Sequence, residues 1–258
     1  MRQADLTEAG RWLARHGLDE TGPTPMLAAR LAVRRRAKLA DSVLLAMFLI
    51  GAALTHVLRL ADDTSSSLPL LLLAALVVGL LVTQWLLGWW VRRVDRRAGA
   101  QLTRRVAHPV ELGWPAVLGR PYAVFTVATF TAALLLAVSV LPVPDADLRH
   151  GAIVVLIGLA GAGAGTVLQL RQVLASPAVA DDEASLTADV VMRVEDARAL
   201  VTPSLVWTLP AIFLYGESLG WWNAASMALV VAGAVALCLI QIRTTGVGTA
   251  ARRAMATR

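Results

Sequence analysis

Four histidines, one cysteine and eighteen carboxylates are the groups in this 258-residue chain that could hold a metal or move a proton. Their spacing offers little for either task. His16, His56, His108 and His150 are spread across more than half of the chain. Placed on the spans assigned below, they fall on both faces of a membrane and cannot join Cys238 around one ion. HExxH, GxSxG and P-loop spacings are all absent. Glu195 and Asp196 lie in a stretch of helical periodicity and read as solvated charges with no base nearby. The expectation is a protein that is not an enzyme and has no metal or cofactor. One titrating pair is suggested: His56 with Glu217, or with Asp62, as an outward-facing site near neutral pH. The simpler reading has His56 facing outer headgroups.

Positive charge is the other chemical resource. Arg92, Arg93, Arg96, Arg97, Arg104 and Arg105 cluster in one stretch, where Val94, Ala98, Leu102 and Val106 recur every four residues. This spacing predicts a helix with an apolar stripe. A second stripe comprises Leu186, Val190, Val194, Ala197 and Val201, with Asp181, Asp182 and Glu183 at its N-terminus, where acidic charge suits the helix dipole. Asp189, four residues before Arg193, adds a weak ion-pair contribution. Such helices can lie under a membrane bundle, each basic residue contributing about 1 kcal/mol against an anionic leaflet. They can also form a docking face for a cytoplasmic partner, or pair the acidic 181–183 box with the Arg-rich helix. A formal charge of +6 at a membrane surface needs no nucleic acid to explain it.

The elements that must position these groups follow from composition. Hydrophobic residues make up 57% of the chain and charged residues only 16%, against about a quarter charged in soluble domains. The apolar residues sit in blocks, and about twenty such residues cross a bilayer as a helix. Six blocks qualify: about 40–60, 69–91, 121–143, 151–170, 203–218 and 222–242. Lipid leaves backbone groups no partner outside the helix, so the predicted fold is an all-α polytopic bundle. Thr202–Pro203 marks the start of the fifth span, which Pro210 should kink. Thr24–Pro25 marks a helix running through Leu27, Leu31 and Arg34–Arg36 into the first span.

Orientation comes from the basic residues, 22 of 24 of which lie in segments 1–38, 92–120, 171–202 and 243–258. The intervening loops hold two basic residues, Arg59 and Arg149, against five acidic ones, Asp62, Asp63, Asp145, Asp147 and Glu217. Positive charge stays inside, which places both termini in the cytoplasm. Trp85, Trp89 and Trp90 fit the inner interface, and Trp221 and Trp222 the outer one. The domains expected are a cytoplasmic N-terminal segment 1–38, a six-span domain 39–243 with cytoplasmic loops 92–120 and 171–202, and a tail 244–258. The first span carries no cleavage site after it and is expected to be retained. Abundant Arg and Ala with a single lysine, Lys38, suit a GC-rich bacterial genome, hence a bacterial cell (inner) membrane.

Within the membrane no carboxylate falls near a midplane; Asp41 sits at an inner edge. Small residues recur every fourth position: Ala75 and Gly79 in the second span, Gly161 and Gly165 in the fourth, Ala228 and Ala232 in the sixth. Such stripes let helices pack closely, within the chain or in a homo-oligomer.

In architecture the chain resembles the membrane subunit of an ABC-type exporter. Those subunits also have six spans with both ends inside, a cytoplasmic helix before the first span (compare 25–38) and a cytoplasmic loop between spans two and three (compare 92–120) that touches an ATPase. In that family spans five and six are joined by an extended connection, whereas Glu217–Trp221 here is short. A local resemblance covers about a tenth of the chain. Asp181–Asp189, continued by Arg193–Arg198, is similar to loops in uncharacterised membrane proteins of high-GC Gram-positive bacteria. The resemblance implies a non-catalytic membrane component of a transport or export system, energised by a partner ATPase. The alternative is a membrane anchor or regulatory scaffold for a cytoplasmic partner.

Overall fold

The computed structural model describes residues 3–18, 22–61, 68–100, 114–176, 183–201, 206, 220–244, 246 and 248–249. Among these residues there are seven helices and no strand: α1 (Gln3–Arg15), α2 (Pro25–Ala61), α3 (Leu68–Ala100), α4 (Trp114–Val140), α5 (Ala146–Ala175), α6 (Glu183–Val201) and α7 (Gly220–Arg243). Five of them, α2, α3, α4, α5 and α7, are long and apolar enough to cross a membrane. In these five, only 11–33% of the most apolar window is buried inside the chain, so each turns most of its apolar surface outward. Met47, Ile50, Leu71, Val124, Leu135 and Ile157 are among the large side chains left exposed. Water would make that surface costly, at about 25 cal/mol per Å², and a bilayer removes the cost. The chain is a multi-pass helical membrane protein. The expected span 203–218 lies outside the described residues except for Val206, which is buried in the bundle core.

The helix starts follow from local chemistry. Thr24 caps α2, its hydroxyl accepting from the Leu27 amide at 3.2 Å, and Pro25 then opens the helix. Asp145 caps α5 in the same way, accepting from the Leu148 amide at 3.3 Å. α4 carries a break near its start. Gly119 sits at φ 72°, ψ 157°, a conformation that side chains with a Cβ rarely adopt, and Pro121 follows. The chain thereby bends into the span.

Two apolar cores stack along the bundle. In the membrane, Phe48, Val77, Leu136, Val140, Val155 and Leu159 join α2, α3, α4 and α5. At the end bearing the chain's basic residues, Trp12, Leu27, Val117, Met192, Val194 and Val201 join α1, α2, the start of α4, and α6. The two longest helices tie the layers together. At 37 and 33 residues, α2 and α3 run about 55 and 50 Å at 1.5 Å per residue. Both exceed a hydrocarbon core of about 30 Å, so their polar ends project beyond it.

The structure corrects three readings. α6 is not buried along a single stripe. Val190, Val194, Ala197 and Val201 are buried as that stripe requires, but Ala188, Val191 and Met192 on other faces are buried too. The helix is enclosed because α4, α5 and the N-terminal helices pack around it. The expected Asp189–Arg193 pair forms, but it is buried rather than weak and local, the side chains being 1% and 7% exposed. Glu195 and Asp196 are not solvated charges without partners, as described next.

Candidate functional site

Every fourth residue of a helix returns to the same face, and Arg30 and Arg34 use that spacing at the start of α2. Asp189, Arg193 and Asp196 share one face of α6 for the same reason, and Asp95 approaches from the end of α3. Together they form a buried ionic network. The Arg30 Nη2 donates to Asp189 Oδ1 at 2.6 Å and its Nε to Asp95 Oδ1 at 2.8 Å. Arg34 forks between Asp95 (Nη2 to Oδ2, 2.7 Å) and Asp196 (Nη2 to Oδ2, 2.8 Å; Nε to Oδ2, 3.0 Å). Arg193 donates to Asp189 Oδ2 at 2.8 Å and to the Ser176 carbonyl at 2.6 Å. Arg30, Arg34, Arg193 and Asp189 are all buried. Three guanidinium groups face three carboxylates, so the network closes without net charge. It joins α2, α3, α6 and the end of α5, which no other polar cluster described here does.

Above this floor lies a cavity of about 910 Å³ between α2, α3, α5 and α6. The network residues form its base, and Asp41, Gln84, Gln169 and Arg92 form a polar girdle at the end of the spans nearest the network. Gln84 Nε2 donates to Asp41 Oδ1 at 2.9 Å, and Arg92 Nη1 reaches Gln169 Oε1 at 3.4 Å. Gly88 makes this approach possible, since a Cβ there would come within 2.5 Å of Gln169 Oε1. The upper wall is apolar, built from Leu81, Val82, Gly161, Ala162, Gly165 and Leu168. The cavity opens on the side where Lys38, Val82, Trp85 and Leu168 are exposed.

A second polar contact fastens α1. The His16 Nδ1 lies 2.8 Å from the Trp12 carbonyl and its Nε2 lies 3.3 Å from Glu195 Oε1, while Trp12 Nε1 donates to Glu195 Oε2 at 3.2 Å. Both ring nitrogens therefore face acceptors, an arrangement that only the imidazolium satisfies fully. Hydrogen bonding to Glu195 raises the His16 pKa above the usual imidazole value, against the opposing effect of partial burial. Burial works against ionisation of Glu195, yet hydrogen bonding and charge attraction from His16, with Trp12 and Lys38, leave its pKa below the usual carboxylate value.

These shifts fix a pH window. The raised His16 pKa stabilises the folded state fully below about 6.5, and the gain is lost as pH rises through the folded value. The lowered Glu195 pKa stabilises it above about 4.3, and that gain is lost as pH falls through the folded value. Docking of α1 is therefore strongest between those limits. Thermal unfolding of wild type and His16→Gln across this range checks it. The variant should melt lower at about pH 5.5 and converge with wild type near pH 9. A difference independent of pH would contradict the assignment.

The residues singled out from sequence are dispersed. Arg92 and Arg96 line the cavity; Arg93 and Arg97 are exposed on other faces of α3, with Arg93 stacked 5.0 Å from the Trp89 ring centroid. Arg104, Arg105 and Glu217 lie outside the described residues. His56 is half-buried in α2. Gly161 packs against Leu81 of α3, whereas Gly165 has nothing within 4 Å of where a Cβ would be and faces the cavity. Ala75, Gly79, Ala228 and Ala232 are exposed on the outside of the bundle. Among the described residues no group of His, Cys, Asp and Glu could hold a metal ion. Sequence reasoning did not join Arg30, Arg34, Asp95, Asp189 and Asp196 into one network, nor Gln84 with Asp41, nor His16 with Glu195. The usable signal was the i, i+4 and i, i+7 spacing of Arg30–Arg34 and Asp189–Arg193–Asp196. No family model, curated protein or solved structure matches the chain.

Proposed function

We propose that this chain is a non-catalytic membrane component of a transport or export system, energised by a separate subunit, and that its cargo occupies the inner cavity. The observation that carries the reading is the cavity itself. Its volume of about 910 Å³ falls within the 300–1,000 Å³ of small-molecule sites. Its polar groups gather at one end and face an apolar wall at the other, the mixed lining of a small-molecule site. The ionic network supplies a rigid floor that ties the helices around the cavity. In this account residues 203–218 form a sixth span, both termini lie in the cytoplasm, and the membrane is a bacterial cell membrane. An ATPase partner would meet the segment after α3, near the exposed Arg97.

The exposed Arg93 and Arg97 favour a second reading, an anchor or regulatory scaffold that holds a soluble cytoplasmic partner. Extraction from the native membrane in mild detergent, with mass spectrometry of whatever remains bound, separates the two. A stoichiometric ATPase is the expected result. A soluble regulator held through Arg93 and Arg97 would favour the scaffold, and a chain recovered alone would overturn both.

A further inference from the structure

The cavity carries a charge imbalance. Six basic side chains line it, Arg30, Arg34, Lys38, Arg92, Arg96 and Arg193, against four acidic ones, Asp41, Asp95, Asp189 and Asp196. That is a surplus of two positive charges. The surplus is localised. Arg30, Arg34 and Arg193 are consumed by the carboxylates of the floor, and Asp41 is held by Gln84. Arg92 forms no ion pair among the described residues, and its one polar contact is the long one to Gln169. Its buried Nε has no hydrogen-bond partner. Arg96 and Lys38 stand on the same rim with no carboxylate in salt-bridge range among the described residues. Three cations on this rim face the single carboxylate of Asp41, so the site as built is short of an anion. The wall beyond Arg92 is of the opposite character: Leu81, Val82, Ala162 and Leu168 offer no polar side chain, and Gly165 leaves room beside them.

Resting on the transport reading above, we propose that the cavity binds an amphipathic anion, a phosphate or carboxylate headgroup on an alkyl chain. The headgroup is held between Arg92, Lys38 and Arg96, and the chain lies along α3 and α5 past Gly165. Arg92 supplies its guanidinium, and Lys38 and Arg96 supply further positive charge. The exposed side of the cavity admits such a molecule from the inner leaflet without carrying its headgroup through the hydrocarbon.

The test uses the full chain in nanodiscs of zwitterionic phosphatidylcholine, with native mass spectrometry reading occupancy. The probes are a monoacyl glycerol phosphate, its uncharged monoacylglycerol counterpart, a single-chain quaternary ammonium lipid and inorganic phosphate. The monoacyl phosphate should bind at one site per chain and resist competition from inorganic phosphate. Arg92→Gln and Lys38→Gln should each weaken binding by about tenfold or more, as loss of a charged hydrogen-bond partner does. Arg97→Gln removes the same charge from an exposed position on α3 and should leave binding unchanged. Arg92 has no carboxylate partner to orphan, so its variant should keep the wild-type melting temperature. Equal binding of the uncharged or cationic lipid would overturn the proposal. So would equal binding of inorganic phosphate alone, or indifference to Arg92→Gln. Binding with this profile by a chain that recruits no energising subunit would keep the ligand assignment and remove the transport reading.

Discussion

Asp189→Ala should destabilise the chain by about 3–5 kcal/mol, the usual consequence of removing one partner from a buried ion pair. The side chain is 1% exposed and accepts from both Arg30 and Arg193. Truncating it leaves two buried guanidinium groups facing each other without an intervening carboxylate. The loss also spreads, because Arg30 holds Asp95 and Asp95 holds Arg34. Thermal unfolding of detergent-solubilised protein should show a single large drop in melting temperature. Replacing all six charged residues of the network together with apolar residues of similar size should restore much of it, since well-packed apolar groups often match buried ion pairs in stability. If Asp189→Ala melts like wild type, the network contributes little and the floor of the cavity is not rigid.

The second large effect separates two glycines four residues apart in α5. A Cβ on Gly161 would come within 2.7 Å of a Leu81 methyl group, so Gly161→Phe forces α3 and α5 apart. Overpacking of this kind costs about 1–3 kcal/mol. A Cβ on Gly165 meets nothing within 4 Å and enters the cavity. Gly165→Phe should therefore fold at least as well as wild type, because glycine inside a helix costs about 1 kcal/mol relative to alanine. It should nevertheless abolish ligand occupancy and transport by filling the space. Loss of function with an unchanged melting temperature is the expected signature, and retained function would remove the cavity from the pathway.

The legible part of the fold was whatever depends on one segment at a time. Runs such as Leu70–Leu73 place α3 in lipid because twenty apolar residues have nowhere else to go. Thr24–Pro25 announced the start of α2 because capping is local. The apolar stripe of α6 was legible for the same reason, but not its burial on the remaining faces, which depends on α4 and α5. α1 was overlooked because it is short and polar, although Ala9, Trp12 and Leu13 mark its buried side. The site was harder. Arg30 and Asp189 are 159 positions apart, as Arg34 and Asp196 are 162 apart, and nothing local indicates that they meet. The conspicuous Arg cluster drew attention to charge on α3, yet the paired arginines sit mostly on α2. Arg92 matters for what it lacks, which only the arrangement of α2, α3, α5 and α6 reveals.

The most direct test of the account is which side of the membrane reaches the cavity. In a Cys238→Ala background, Gly165→Cys places one thiol inside it, and Arg97→Cys places one on the exposed basic end of α3. Membrane-impermeant thiol reagent should modify both in inside-out vesicles and neither in right-side-out vesicles, with prior loading of a monoacyl phosphate protecting only the first. Modification at position 165 from the outer face, or inertness there from both faces while position 97 reacts, would contradict a cavity that opens to the inner side.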